Sequence, residues 1–86
     1  MTTDEAIAAL KKDNPGTPIG DLHMYAEAFA IHRSASANVR DNGPLCAHPR
    51  TGAPMENPYL AIAASQMKVM QSLKRVRKTD RLWAAA

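Results

Sequence analysis

The chain has 86 residues and a formal net charge of +3, and 16 of its apolar residues are alanines. Leucine, isoleucine, valine and phenylalanine together number only 14. Such a chain forms one small domain at most, and it needs a source of stability beyond its own core. An intrachain disulfide is excluded because Cys46 is the only cysteine, so we expect self-association to supply that stability.

The composition also argues against an enzyme, a metalloprotein and a membrane protein. The four glycines are scattered, so no glycine-rich phosphate loop is present. The three histidines and Cys46 do not provide the two ligand pairs of a zinc site. Asp4 and Glu5 stand where a signal peptide would be basic, and no stretch approaches the roughly 18 apolar residues of a membrane span. We therefore expect a cytoplasmic protein with no catalytic residues, no metal and no cofactor.

Residues 1–18 are predicted to contain a short N-terminal helix followed by a turn. Thr2 and Glu5 have the three-residue spacing of a capping box, and the DNPG sequence at 13–16 is a turn signal. Thr17 and Pro18 then resemble an N-cap and a first helical residue. A second helix is predicted over residues 19–42, because no proline interrupts it before Pro44.

Residues 43–57 are rich in proline and glycine and predict a long ordered loop, with a loose hairpin around residues 48–52 as a minor alternative. Asn57 and Pro58 form the clearest boundary of the sequence, an N-cap residue followed by the proline that suits the first helical position. A third helix is therefore predicted over residues 58–78, followed by a C-terminal tail at 79–86. The predicted fold is a single all-α domain, with a short N-terminal helix and a two-helix antiparallel hairpin.

The two long helices each carry two apolar stripes. In the third helix, one stripe has the alternating three- and four-residue spacing of a coiled-coil seam, and a second stripe lies beside it. Pairing the two helices buries one face of each, and burial of the other faces would contribute about 25 cal/mol per Å². We therefore expect a homo-oligomer. The predicted interface residues are Leu60, Ile62, Met67, Val69, Met70, Leu73, Met24 and Ile31.

Positive charge is concentrated near the C-terminus. Residues 1–41 have a net charge of −2, whereas residues 42–86 have a net charge of +5. The basic residues between 68 and 81 exceed what a helix dipole needs, and they are candidates for contacts with DNA phosphates. These candidate DNA-binding residues are Lys68, Lys74, Arg75, Arg77, Lys78 and Arg81. Trp83 is expected to cover a neighbouring helix, with stacking on a base as the alternative.

Several motifs occur in an order that resembles the small subunit of phage terminases. They are YAEA at 25–28, HRSA at 32–35, NG at 42–43, the proline- and glycine-rich loop, and NPYLAIA at 57–63. MKVMQSL at 67–73 and TDRL at 79–82 extend the similarity, so that it covers about residues 19–82. The chain departs from the family at 75–79, where RVRKT replaces a Gly-Leu-Thr-Pro sequence and makes this end more basic.

The resemblance implies a non-catalytic helical subunit that assembles into a homo-oligomeric ring. Its implied partners are double-stranded viral DNA and the large terminase subunit, which carries the packaging ATPase and the nuclease. Two other functions remain open from the sequence. One is a small dimeric phage regulator that binds palindromic DNA through the same basic residues. The other is an interaction or inhibitor protein without affinity for DNA.

Overall fold

A computed structural model describes residues 2–85, which are mostly helical. The elements in chain order are α1 (Thr3–Asp13), α2 (Ile19–Asn42), β1 (Leu45–Ala47), β2 (Pro54–Glu56), α3 (Pro58–Ser72) and α4 (Asp80–Ala85). The described chain measures 51 × 22 × 16 Å. This elongated shape follows from α2, whose 24 residues span about 36 Å at a rise of about 1.5 Å per residue.

The capping residues predicted for α1 and α3 are confirmed. The Thr2 hydroxyl oxygen accepts a hydrogen bond from the Glu5 backbone N–H at 3.2 Å, and the Thr2 hydroxyl donates to the Glu5 carboxylate at 3.1 Å. The Asn57 carboxamide oxygen accepts from the Tyr59 backbone N–H at 3.0 Å, with Pro58 in the first turn of α3. Both caps satisfy backbone donors that a helix cannot pair internally.

The segment between α2 and α3 contains a short hairpin, the arrangement that the sequence suggested as a minor alternative. Strands β1 and β2 are antiparallel, and Cys46 lies opposite Met55. Gly52 in the connecting turn has a φ of 69°, a conformation that glycine adopts without steric cost. The strands bring the chain back so that α3 packs along α2. His32 bonds to Ala63 and Asn38 to Asn57, so the two helices run antiparallel, as predicted.

The third helix is shorter than predicted. It ends at Ser72 instead of continuing to residue 78, and residues 73–79 form a non-helical connection to α4, a helix that replaces part of the predicted tail. No glycine or proline causes this break. The backbone groups of residues 75, 77 and 78 instead bond to side chains of the α1–α2 turn, and Val76 inserts into the core with 8% of its surface exposed. These tertiary contacts override the local helical preference of the sequence.

The core lies at one end of the molecule, where α1, the first half of α2, the last turns of α3 and α4 meet. Leu10, Leu22 and Leu82 are its most completely buried large side chains. Trp83 packs edge-on against Phe29 with ring centroids 4.7 Å apart, so the prediction that it covers a neighbouring helix is confirmed. Among residues 2–85, no helix combines the length and the hydropathy needed to cross a bilayer.

Candidate nucleic-acid interface

Four of the predicted DNA-binding residues lie together on the connection between α3 and α4. We call residues 74–78 the basic segment. The side chains of Lys74, Arg75, Arg77 and Lys78 are exposed, whereas Val76 between them is buried. Among residues 2–85, the ion pairs are His23–Glu27, Arg40–Asp41 and Arg81–Asp13, so none of these four cations is paired there. The segment therefore presents unneutralised positive charge around an apolar anchor.

The buried side chain of Asn14 fixes the backbone of the basic segment. Its carboxamide oxygen accepts hydrogen bonds from the backbone N–H groups of Arg77 and Lys78, each at 3.0 Å. Its amide nitrogen donates to the carbonyls of Lys78 at 2.6 Å and Leu10 at 3.1 Å. All four hydrogen-bonding positions of the carboxamide are thus occupied. Only 6% of Asn14 is exposed. We call this set of hydrogen bonds the Asn14 clamp.

Thr17 adds a further tether. Its hydroxyl donates to the Arg75 carbonyl at 3.0 Å, so Thr17 does not cap α2 as the sequence suggested; Pro18 occupies that position instead. The bonds that Asn14 and Thr17 make to the basic segment all involve its main-chain atoms. The cationic side chains are therefore free to extend outward from a backbone of fixed shape.

A cleft separates the α1–α2 turn from the basic segment. It has a volume of about 370 Å³ and is open to solvent. We call it the basic cleft, and the residues that line it are Asp13, Asn14, Gly16, Thr17, Pro18, Arg75, Arg77 and Lys78. Asp13 contributes the only carboxylate of this lining, and that carboxylate is 3.1 Å from Nε of Arg81. The cleft therefore combines three cations with one carboxylate that already has a cationic partner.

The other two predicted DNA-binding residues lie outside the basic segment. Lys68 is exposed on α3 and does not line the basic cleft. Arg81 is exposed on α4 and forms the ion pair with Asp13, so part of its charge is used to hold α4 against α1. The structure thus groups four of the six predicted residues in the basic segment. Arg81 is next to that group, because it lines a neighbouring open cleft with Lys78, whereas Lys68 lies apart on α3.

The predicted interface residues fall into three groups. Met70 is only 4% exposed and belongs to the core of the single chain, which corrects its assignment to an oligomer interface. The residues that are partly buried and therefore contribute partly to the chain's own packing are Leu60, Met67, Val69 and Leu73. The exposed group comprises Met24, Ile31 and Ile62, which are 53%, 46% and 39% exposed.

Ile31 and Ile62 belong to an apolar groove between α2 and α3. The groove has a volume of about 350 Å³. It is lined by Ala30, Ile31, Ser34, Ala35, Tyr59 and Ile62, and we call it the α2–α3 groove. Tyr59, at 41% exposure, was not among the predicted interface residues. The groove is on the half of the hairpin away from the core.

Asn14 and Thr17 were not predicted to belong to a functional site. The DNPG sequence indicated a turn, and that turn is present between α1 and α2. The partners of Asn14 are 63 and 64 positions away in the sequence, so no local pattern identifies them. The only available signal was the combination of an asparagine at a helix end with an unusually basic segment elsewhere.

Residues that resemble parts of a catalytic or metal site are dispersed. His23 and Glu27 are 3.6 Å apart on exposed faces of α2. His48 accepts hydrogen bonds at Nδ1 from the backbone N–H groups of Arg50 and Thr51, which makes it a turn-stabilising residue. No group of three or more histidine, cysteine or carboxylate side chains converges among residues 2–85.

No family model, no curated protein and no solved structure matches the chain.

Proposed function

We propose that the chain is the non-catalytic small subunit of a phage terminase. In this role it acts in the cytoplasm of the host cell, assembles into a homo-oligomeric ring, engages double-stranded viral DNA and delivers it to the large ATPase and nuclease subunit. The resemblance over residues 19–82 supports this proposal. The observation that carries it is the basic segment, which presents four exposed cations on a backbone held by the Asn14 clamp.

Charge on the basic segment favours binding to the DNA backbone rather than reading of bases. Lysine and arginine side chains that contact phosphates release condensed counterions. As a result, the logarithm of the binding constant falls by about 0.9 per contact for each tenfold rise in salt concentration, and we call this dependence the salt slope. Two to four such contacts give weak binding in one subunit. A ring repeats the segment around its circumference, and simultaneous contacts raise the affinity without any new contact type.

The α2–α3 groove supports self-association. It leaves Ile31, Tyr59 and Ile62 substantially exposed in a chain that has few large apolar residues. Exposed apolar surface of this kind is stabilised when a second molecule covers it. Because the groove and the basic segment involve different residues, a neighbouring copy in the groove leaves the basic segment accessible to DNA.

The first test is the native mass measured by light scattering behind a sizing column, at two protein and two salt concentrations. We expect a stable assembly of many subunits for the wild-type chain. The Ile62→Asp variant should dissociate, because it places a charge in the α2–α3 groove. Ala64→Asp provides the matched control, since Ala64 is exposed on α3 and does not line the groove. A monomer at every concentration would contradict the proposal, and a dimer would favour the regulator.

The second test compares two double variants that lose the same charge. Arg75→Ala with Arg77→Ala removes two cations of the basic segment, whereas Arg33→Ala with Arg50→Ala removes two exposed cations elsewhere. We expect the first pair to reduce the salt slope of binding to duplex DNA by about 1.8 per subunit, and the second pair to leave it unchanged. Equal slopes for the two variants would remove the basic segment from the DNA interface.

A further inference from the structure

We propose that the basic cleft binds one backbone phosphate of duplex DNA, and that Asn14 and Thr17 are positioning residues that hold the cations around it. The inference rests on the proposed function, because it takes DNA as the polyanion that the basic segment meets. The basic cleft is then the place of the strongest contact between the protein and a DNA phosphate. The α1–α2 turn contributes by positioning, since it has no cation in the cleft lining.

Electrostatics favour an anion in this cleft. Arg75, Arg77 and Lys78 line the same open volume, and like charges held close together repel one another. The carboxylate of Asp13 does not neutralise them, because it is bonded to Arg81 at 3.1 Å. A phosphate between the three cations replaces repulsion with attraction and gives each guanidinium group an acceptor that matches its geometry.

Preorganisation distinguishes this cleft from an ordinary cluster of surface lysines. Binding normally costs conformational entropy for each flexible side chain that becomes ordered, and it costs more when the backbone is also mobile. Here the backbone of the basic segment is already fixed by bonds to Arg75, Arg77 and Lys78 from two residues of the α1–α2 turn. Only the side chains have to be ordered when the phosphate binds.

The shape of the cleft favours a phosphodiester of a polymer over a small free anion. The cleft is open to solvent, so the sugars on either side of the phosphate can continue out of it. Gly16 also lines the cleft, and beyond Gly16 and its two chain neighbours no heavy atom lies within 4 Å of the position that a Cβ would occupy. Lys74 is exposed next to Arg75 and does not line the cleft, so it adds positive charge outside it.

The test places a carboxylate in the cleft without removing any cation. Gly16→Glu is the test variant, and the open space around Gly16 accommodates the new side chain. Gly16→Gln has the same size without the charge. Gln71→Glu introduces the same charge at an exposed position of α3 outside the cleft. Affinity for a labelled short duplex is measured by fluorescence anisotropy at one fixed salt concentration, after circular dichroism confirms that each variant is folded.

We expect Gly16→Glu to bind the duplex about tenfold more weakly than Gly16→Gln, because a carboxylate in the cleft repels the phosphate directly. Gln71→Glu should weaken binding by less than about threefold, since its carboxylate lies on an exposed surface outside the cleft, where solvent and salt screen it. Equal losses for Gly16→Glu and Gln71→Glu would overturn the cleft assignment. If the Arg75 and Arg77 double variant still lost binding in that case, the proposed function would stand while the cleft assignment failed.

A second measurement does not depend on any variant. Backbone amide signals of the wild-type chain are followed by NMR during titration with the duplex and, separately, with inorganic phosphate. We expect the duplex to shift the amides of Gly16, Thr17, Arg77 and Lys78 most strongly. Shifts with inorganic phosphate but not with the duplex would make the cleft a small-anion site and overturn the inference. A wild-type chain that does not bind the duplex at all would contradict the proposed function itself.

Discussion

Two buried asparagines, Asn14 and Asn57, hold the two ends of the molecule, and they differ in where their partners come from. Asn57 is 3% exposed and joins the end of α2 to the start of α3, with bonds to the Gly43 carbonyl, the Asn38 side chain and the Tyr59 backbone. The partners of the Asn14 clamp in the basic segment are 63 and 64 positions away. Asn57 closes the connection between two consecutive helices, whereas Asn14 joins parts of the chain that are far apart in the sequence.

This difference separates a structural junction from a candidate binding site. The Asn57 junction satisfies backbone groups that any hairpin of two helices has to satisfy. The Asn14 clamp holds a segment in a non-helical form that its sequence does not prefer, and it does so where the cations are most concentrated. Because the buried Asn14 side chain is needed to hold this conformation, the basic segment is a candidate for a functional role.

The largest expected effect is that of Asn14→Ala. The change leaves the backbone groups of Arg77 and Lys78 without their partner, and we expect the free energy of unfolding to fall by about 3 kcal/mol. Trp83, the only tryptophan, lies on α4, the helix that follows the basic segment, so its fluorescence should shift to longer wavelength as α4 loosens. Urea unfolding and emission spectra measure both effects. An unchanged midpoint would show that α4 docks without the clamp.

Asn57→Ala should have a smaller effect, and it should act on the other end of the molecule. The variant loses the N-cap of α3 and two further bonds, which we expect to cost about 2 kcal/mol. Trp83 lies in the opposite half, so its emission in the folded state should stay at the wild-type wavelength. A red shift in this variant would mean that the two junctions are coupled, and the comparison between them would then fail.

Thr17→Val should have the smallest effect of the three on stability. It replaces the hydroxyl that donates to the Arg75 carbonyl with a methyl group of similar size, at an expected cost of about 1 kcal/mol. All cations are retained, so the salt slope of DNA binding should be that of the wild type while the affinity falls. A reduced slope would indicate that Thr17 affects the number of phosphate contacts rather than the order of the backbone.

The local features of the fold could be predicted from the sequence. Thr2 and Asn57 cap α1 and α3 as predicted, because each bonds to a backbone group two or three residues away. The bounds of α2 also agree, since Pro18 and Gly43 mark them. The end of α3 could not be predicted in this way. No residue between 72 and 80 disfavours a helix strongly, and the chain leaves the helix because Asn14 and the core compete for its backbone and for Val76.

The candidate site was predicted in composition but not in geometry. Six cations were identified from their clustering in the sequence, and four of them are adjacent in the structure, yet their placement on a helix was wrong. The apolar stripes indicated surplus surface correctly at Met24, Ile31 and Ile62. They misassigned Met70, because spacing shows which residues share a helix face but not which face meets the core. That choice depends on where α1 and α4 pack.

The long separation between the partners in the Asn14 clamp also sets an order for folding. The entropic cost of loop closure rises with the logarithm of the loop length, so we expect the contacts between α2 and α3 to form before residues 14 and 78 meet. The clamp then forms late and brings α1 and α4 into place together. In hydrogen exchange, the amides of Arg77 and Lys78 should therefore open in a common step with those of α1, although they lie outside any helix. Slow exchange of these two amides would show that docking of α1 and docking of α4 are one cooperative step.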